Sequence, residues 1–220
     1  MPMKLFFQYL HSFLPSFLKE GDCLLCGQKT TATLFCVSCE EDLPRHSVLD
    51  HCPRCGILSA NAQICGRCLK KAPHFDSVNA VFDYDFPVDS LIVAYKYGHR
   101  LALTPYFAEA LSSLAGKLLE IKKPDVIIPL PLHEVRLKER GFNQALELGK
   151  IIAQKHALPL DFAVCTRMNA TKTQANLPQK ERIKNVRGAF LVARALKEQI
   201  IWLVDDVMTS GATANECART

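Results

Sequence analysis

The sequence has no apolar run long enough to cross a bilayer as a helix, so it predicts no membrane-spanning segment. Residues 3–18, "MKLFFQYLHSFLPSFL", carry Phe and Leu at helical spacing. Gln8, His11 and Ser12 interrupt this stretch and no small-residue cleavage site follows, so we expect no signal peptide. We predict an amphipathic helix over residues 1–20 that docks on the protein, with peripheral membrane contact as the alternative, and a cytoplasmic location.

Two common phosphate-binding motifs are also missing. The sequence contains neither GxxxxGK[ST] nor GxGxxG, which argues against a P-loop NTPase and a dinucleotide-binding domain. The sequence has one Trp and only five Tyr, and this counts against an aromatic-rich stacking surface for single-stranded nucleic acid. The net charge of +5 is mild, so it permits an anionic ligand without requiring nucleic acid.

Cysteine, by contrast, is abundant and unevenly placed. Eight of the ten cysteines lie between Cys23 and Cys68, whereas Cys165 and Cys217 are typical of small apolar core residues. The eight form four Cys-x-x-Cys pairs, and each cysteine of the first two pairs recurs 29 positions later. This repeat predicts a duplicated metal-binding unit, a double zinc ribbon, over residues 21–72.

Two cysteines separated by two residues can present both thiolates to one tetrahedral zinc ion. Four thiolates leave no position for a substrate, so we expect two structural zinc ions. The repeat favours two sequential ligand sets, which are Cys23, Cys26, Cys36 and Cys39, and Cys52, Cys55, Cys65 and Cys68. Cross-braced pairing, disulfides and an iron–sulfur cluster are the alternatives. His46 and His51 are interpreted as surface histidines, because the sulfurs already complete both sites.

From residue 75 onward the pattern changes to strands that alternate with helices. A strand is predicted over Ser77–Asp85, and buried strands over Asp125–Ile128 and Ile200–Val204. Helices are predicted over "PVDSLIVAYKYGH", from Pro105 to about Glu120, and over Asn143–Ala157. This order predicts an α/β domain over residues 75–220, with a parallel sheet flanked by helices and ligands beyond the carboxyl ends of its strands.

Two aspartates, Asp205 and Asp206, directly follow the last predicted strand. The small, hydroxylated loop Val207–Thr213 then leads into a helix near Ala214. Backbone N–H groups of such a turn suit a phosphate, and Gly211 permits its close approach. The acids would repel a phosphate but suit hydroxyls or Mg²⁺, so the pattern predicts a phosphorylated ribose. Acids that merely cap the strand are the alternative, whereas the 14 residues after Asp206 are too few for a receiver domain.

The stretch "WLVDDVMTSGAT" resembles the phosphoribosyl-pyrophosphate (PRPP) loop of type I phosphoribosyltransferases. Three further segments resemble the ComF competence family: "YKYGHR", "PLPLHEVRLKERGFNQA" and "RMNATKTQANLPQKERIKNVRGAF". The resemblance covers nearly the whole chain from Cys23 onward. Because that family couples an N-terminal zinc ribbon to a phosphoribosyltransferase-like domain, it implies a type I phosphoribosyltransferase-like fold here.

The resemblance also implies roles for particular residues. Asp205 and Asp206 would bind the ribose hydroxyls of PRPP, with Mg²⁺. The 5′-phosphate would lie against Val207, Met208, Thr209, Ser210, Gly211, Ala212 and Thr213. Pyrophosphate would meet Pro129, Leu130, Pro131, Arg136 and Arg140, although solvated arginines are the alternative. The segment Arg167–Arg187 resembles the hood over the active site. It contains six Lys and Arg residues, Lys172 among them, and one acidic residue.

The family continues through another helix and strand beyond the point where this chain ends, nine residues past Gly211. The resemblance therefore implies a fragment, a truncated product or a form completed by another chain. It also implies cytoplasmic handling of incoming single-stranded DNA, with other competence proteins as partners, by a phosphoribosyltransferase-like protein. A nucleotide-salvage enzyme acting on a free base is the alternative. No residue identifies an acceptor or a general base, and the sequence predicts no oligomeric state.

Overall fold

The structure, a computed structural model, describes residues 20–31, 33–98, 100–168 and 179–220. Nearly all of the predicted N-terminal helix, and Lys172 of the predicted hood, lie outside these ranges. The chain divides into two compact units, Met1–Leu43 and Pro44–Thr220. Each unit contains one of the two sets of four cysteines.

The first unit is built around a short antiparallel pair of strands. Strand β1 (Glu20–Asp22) pairs with β2 (Lys29–Thr31), and helix α1 (Val37–Glu41) follows. Between the strands, Gly27 has a φ of +76° and its N–H donates to the carbonyl of Cys23 at 2.9 Å. A side chain rarely adopts this left-handed conformation, so the tight turn requires glycine.

The second unit opens with the second set of cysteines and helix α2 (Gly66–Lys70). The strand predicted over Ser77–Asp85 is wrong, because only Phe82 pairs there, through a single antiparallel bridge to Arg45. Hydrogen bonds from His46 N–H to the Val81 carbonyl and from Asp83 N–H to the Pro44 carbonyl flank that bridge. The alternating pattern thus marks an extended segment that is held at one point only.

The rest of the second unit alternates helices and strands, as predicted. Its helices are α3 (Val88–Tyr97), α4 (Leu103–Leu119), α5 (Glu134–Arg140), α6 (Gln144–His156), α7 (Gln179–Val186) and α8 (Ala212–Arg219). Its strands are β3 (Val126–Pro129), β4 (Cys165–Arg167), β5 (Phe190–Val192) and β6 (Ile201–Val204). The predicted α/β class is confirmed.

The central pairing is parallel. Strand β3 runs beside β6 with Pro129 opposite Val204, and Leu160 adds a single parallel bridge on the other edge of β3. Side chains of β3 alternate between two apolar clusters: Val126 and Ile128 face one, and Ile127 faces the other with α4 and α6. Apolar clusters pack on both faces of β3, which is buried throughout, whereas the predicted buried strand β6 is only half-buried.

Capping residues begin the helices that follow β3. His133 Nδ1 accepts from the N–H of Val135 at the start of α5, and the Asn143 side chain accepts from Leu146 N–H at the start of α6. Asn143 also donates from Nδ2 to the carbonyl of Leu130 at 3.1 Å. One side chain thereby satisfies a helix N-terminus and ties α6 to the loop after β3.

Candidate ligand site and metal centres

The two loops predicted to hold the ligand are neighbours in space. Because β3 and β6 are parallel and adjacent, Pro129–Pro131 and Asp205–Asp206 emerge at the same edge of the sheet. The N–H of Leu130 donates to the carbonyl of Val204 at 2.8 Å, so the pairing continues into the loop. The carboxyl end of a parallel sheet is where α/β proteins bind ligands.

The two acids lie in different electrostatic environments. Asp206 Oδ1 is 2.9 Å from Nζ of Lys96 on α3, and the two side chains are 8% and 18% exposed. Asp205 Oδ1 accepts the backbone N–H of Asp206 at 2.9 Å. Desolvation, and then repulsion from Asp206, raise the pKa of Asp205 to about 8, although Lys96 opposes this shift. The pair therefore favours a protonated Asp205 at neutral pH unless a bound cation or hydroxyl donors compensate.

Lys96 belongs to the candidate site but was not predicted from the sequence. The predicted helix placed it in register with the apolar residues Leu91, Ile92 and Tyr95, all of which are buried in the structure. A lysine on the apolar face of a helix needs a partner for its charge. This pattern in the sequence could have indicated that Lys96 pairs with an acid, but only the fold identifies Asp206 as its partner.

The loop after the acids lines a small open cavity of about 230 Å³. Asp205 and the residues from Val207 to Ala214 line it, so all seven predicted loop residues are present. Gly211 has a φ of +72° and directly precedes α8, which begins at Ala212. The small side chains of this loop and the N-terminus of α8 suit one anionic group such as a phosphate.

In the second unit, Phe75 lies between the cysteine cluster and this loop. Phe75 packs on the cluster formed by the second set of cysteines. A Cβ on Gly211 would lie 3.7 Å from Cζ of Phe75 and 3.8 Å from Sδ of Met208. Asn215 of α8 accepts the backbone N–H of His74 through its Oδ1 at 2.8 Å. The segment after the cysteines therefore touches both the loop and the helix that follows it.

Arginines surround the same edge of the sheet. Arg140 donates to Gln144 Oε1 at 3.3 Å and lies over the ring of Tyr97 at 5.3 Å. Arg136 donates to Glu139 at 2.9 Å. Burial lowers the pKa of Arg167, which interacts electrostatically with Asp205 and with both of these arginines. Arg167, at the end of β4, was predicted only as part of the hood, and the fold brings it within range of the acids.

Two buried donors near these arginines lack acceptors among the described residues. They are Nε of Arg140 and Nε2 of Gln144, whose side chain is almost fully buried. Buried N–H groups are normally paired. An anionic or carbonyl ligand at this position would supply the missing acceptors.

The predicted hood is described only in part, and Lys172 lies outside the described residues. Helix α7 packs against α8. After α7, the N–H of Gly188 donates to Glu216 Oε1 of α8 at 2.6 Å, and Arg219 pairs with the same carboxylate. Lys184 and Arg187 are exposed. The C-terminal end of the segment is thus anchored to the helix that follows the Gly211 loop.

The cysteines gather in the two sequential sets that the repeat predicts. Cys26 and Cys36 have their sulfurs 3.6 Å apart, as do Cys55 and Cys65 in the second set. Four thiolates at about 2.3 Å from one zinc ion would lie about 3.8 Å from each other. All ten cysteines are unbridged, and their grouping in two sets of four favours metal sites over the disulfide alternative.

Backbone N–H groups stabilise the thiolate form of one cysteine in each cluster. Although desolvation opposes it, N–H groups of Cys26, Cys36 and Leu25 lower the pKa of the Cys23 thiol to about 6. The equivalent N–H groups of Cys65, Cys55 and Arg54 lower the pKa of Cys52, also to about 6. Hydrogen bonds that stabilise a thiolate favour metal binding. The donor sets therefore fit structural zinc in both units.

The interpretation of His46 and His51 as surface histidines is wrong. Their side chains are 5% and 7% exposed, and both contact Asp83, at 2.6 Å and 3.4 Å respectively. Their ring centroids are 4.0 Å apart. These three residues form a cluster of their own, apart from the sulfurs.

The helices of the described residues are too short or too polar to cross a membrane. No protein-family model matches the chain. Curated relatives do match it. The chain is 31% identical over 191 residues to Competence protein F of Haemophilus influenzae, covering 84% of this chain and 82% of the relative. It is 33% identical over 172 residues to the DNA utilization protein YhgH of Salmonella typhimurium, covering 76% of each.

A more distant relative matches over a longer stretch. Competence protein ComFC of Bacillus subtilis is 26% identical over 217 residues, which is 90% of this chain and 87% of the relative. These matches extend over most of each protein, and the two identities above 30% carry the assignment. Together with the duplicated cysteine sets and the parallel sheet, they show that the chain belongs to the ComF competence family.

Proposed function

We propose that the second unit binds PRPP, or a related ribose 5-phosphate group, at the edge where β3 and β6 end. The observation that carries this proposal is the adjacency of the two acids, the open cavity lined by the Val207–Thr213 loop and the Pro129–Pro131 loop. A sugar diol, a 5′-phosphate and a pyrophosphate would each meet chemically suitable groups at this one edge.

In this arrangement the carboxylates of Asp205 and Asp206 accept hydrogen bonds from the ribose hydroxyls. Lys96 holds the Asp206 side chain in place, since its ammonium group lies 2.9 Å from the carboxylate. Backbone N–H groups of the Val207–Thr213 loop hold the 5′-phosphate at the start of α8. Mg²⁺, when bound with PRPP, would supply positive charge that favours the ionised form of Asp205.

Pyrophosphate would lie toward the arginines. Arg140 and Arg167 are partly buried, and guanidinium groups bind phosphate oxygens with several donors at once. The unpaired Nε of Arg140 and Nε2 of Gln144 would each gain an acceptor. If the protein catalyses transfer, these groups would stabilise the charge of departing pyrophosphate.

We further propose that the protein acts in DNA uptake, on single-stranded DNA inside the cell. The names of the relatives, Competence protein F and DNA utilization protein, support this role. A site for a ribose phosphate would accept the 5′ end of a strand, and the exposed Lys184 and Arg187 beside α8 would contact further phosphates. The cytoplasmic location stays a prediction.

Calorimetry on one sample tests these proposals. We expect PRPP with Mg²⁺ to bind, ribose 5-phosphate to bind more weakly, and 5′-phosphorylated single-stranded DNA to compete with PRPP. The same strand without its 5′-phosphate is the matched control and should not compete. Absence of PRPP binding would overturn the ligand proposal, whereas turnover of PRPP with a free base would favour the salvage enzyme.

A further inference from the structure

We propose that His46, His51 and Asp83 form a third metal site, for a divalent ion of the zinc class, distinct from the two cysteine sets. The ligand atoms would be His46 Nδ1, His51 Nε2 and Asp83 Oδ1, which all lie within 4.8 Å of one another. Imidazole nitrogens and a carboxylate oxygen are typical ligands of zinc and its neighbours in the first transition row.

The hydrogen bonds of His51 determine which of its nitrogens faces the cluster. Its Nδ1 is 2.7 Å from the carbonyl of Ser47 and 2.9 Å from Oδ1 of Asp50. Both neighbours are acceptors, so Nδ1 carries a proton and donates it. This is the arrangement found behind metal-binding histidines, where the other ring nitrogen donates to a carbonyl or carboxylate.

The opposite nitrogen of His51 then points at an oxygen. Nε2 of His51 lies 3.4 Å from Asp83 Oδ1. His46 Nδ1 approaches the same oxygen at 2.6 Å. Two ring nitrogens thus converge on one carboxylate oxygen, and the three atoms are of the types that bind one divalent ion.

The backbone holds the three ligands firmly. His46 N–H donates to the Val81 carbonyl at 3.0 Å and Asp83 N–H donates to the Pro44 carbonyl at 2.8 Å, on either side of the Arg45–Phe82 bridge. His51 forms its own bridge to Leu58. A bound ion would therefore connect two segments: the one that precedes the second cysteine set and the extended one that precedes α3.

The exposed side of Asp83 would let the ion enter and would leave one coordination position open. The histidine side chains are 5% and 7% exposed, whereas Asp83 is 37% exposed. Three protein ligands leave the fourth tetrahedral position for water or a ligand oxygen on the Asp83 side. The site differs in this respect from the closed sets of four cysteines.

Cobalt titration of the zinc-loaded full chain tests the proposal. With the thiolate sites filled by Zn²⁺, one equivalent of added Co²⁺ should bind and give visible bands typical of nitrogen and oxygen ligands, without the strong near-ultraviolet band of cobalt–thiolate. Elemental analysis of the same sample should show two zinc ions retained. Excess Zn²⁺ should displace the cobalt.

The variants His51→Ala and Asp83→Asn should each lose this third equivalent while keeping both zinc ions. His74→Ala, which removes an exposed histidine of the same unit, is the matched control and should keep it. Asp83→Asn is included because it changes a partly exposed side chain with little change in volume, so we expect this variant to fold. A wild-type chain that binds no cobalt, or one whose cobalt persists in both variants, would overturn the proposal.

Discussion

Nζ of Lys96 lies 2.9 Å from Oδ1 of Asp206, and the ion pair joins helix α3 to the end of strand β6. Both side chains are largely buried. The pair positions a cation beside two adjacent carboxylates that would otherwise repel each other. It is therefore both a tertiary contact and part of the electrostatics of the candidate ligand site.

Lys96→Met should destabilise the protein by a few kcal/mol, because breaking a buried pair leaves an uncompensated charge at roughly 3–5 kcal/mol. Chemical denaturation at neutral pH measures the change. Lys96→Met combined with Asp206→Asn should recover much of the loss, since neither charge remains. A single variant as stable as wild type would show that water already screens the pair.

Asp205→Asn with Asp206→Asn should weaken PRPP binding by at least about tenfold, since hydrogen bonds to charged groups contribute about 1.5–3 kcal/mol each. Removing two negative charges near an anion opposes this effect, but the carboxylates contact the hydroxyls directly. Calorimetry on the folded variant measures the affinity. Wild-type affinity would mean that the acids only cap the strand.

Asp205 should make the unliganded protein less stable as the pH rises. Its pKa is about 8 in the folded state, against 3.8 for an unperturbed aspartate, so between those values the folded chain binds a proton that the unfolded chain has released. The free energy of unfolding contributed by this group therefore falls from about pH 4 to about pH 8. Denaturation across that range should show a flatter profile for Asp205→Asn.

Asp161→Asn is the matched control, because the pKa of Asp161 is shifted in the opposite direction. Although desolvation opposes it, Arg194 and two backbone N–H groups hold the pKa of Asp161 below its usual range. Its contribution to stability is present above the unfolded pKa and is lost as the pH falls, so its removal should alter the acid side only. An unchanged slope in Asp205→Asn would contradict the raised pKa.

Protein never exposed to chelator should contain two zinc ions that a thiol-blocking mercurial releases. Cys52→Ser should lose one of them and also weaken PRPP binding, because Phe75 packs on the second cysteine cluster and touches the Gly211 loop. Cys23→Ser, measured alongside, corrects for the general effect of losing a zinc ion. One releasable zinc or none in the wild type would contradict the two thiolate sites.

Affinity for single-stranded DNA should fall steeply with salt if phosphates provide the contacts. Lys184→Ala and Arg187→Ala should each reduce the slope of log affinity against log salt by about 0.7. Lys172→Ala extends the test to the predicted hood residue outside the described ranges. Binding that is flat between low and moderate salt would contradict the electrostatic account.

The sequence alone determined the features that depend on local spacing. Each Cys-x-x-Cys pair brings two sulfurs together within one turn, so the two metal sets could be identified without a fold. Helix α6 was predicted almost to the residue, because Asn143 caps its start and an apolar face repeats along it. The position of Asp205 and Asp206 directly after the strand β6 was likewise predicted from the sequence, whereas their role in ligand binding stays a prediction.

Tertiary structure decided every feature that joins distant segments. The alternating residues of Ser77–Asp85 predicted a strand, yet a strand forms only where a neighbour pairs with it, and here that happens only at Phe82. Lys96, Arg167 and the cluster of His46, His51 and Asp83 carried little signal, because their partners are far away in the sequence. Local propensity specifies helices and turns, whereas the partner of a buried charge depends on how the whole chain packs.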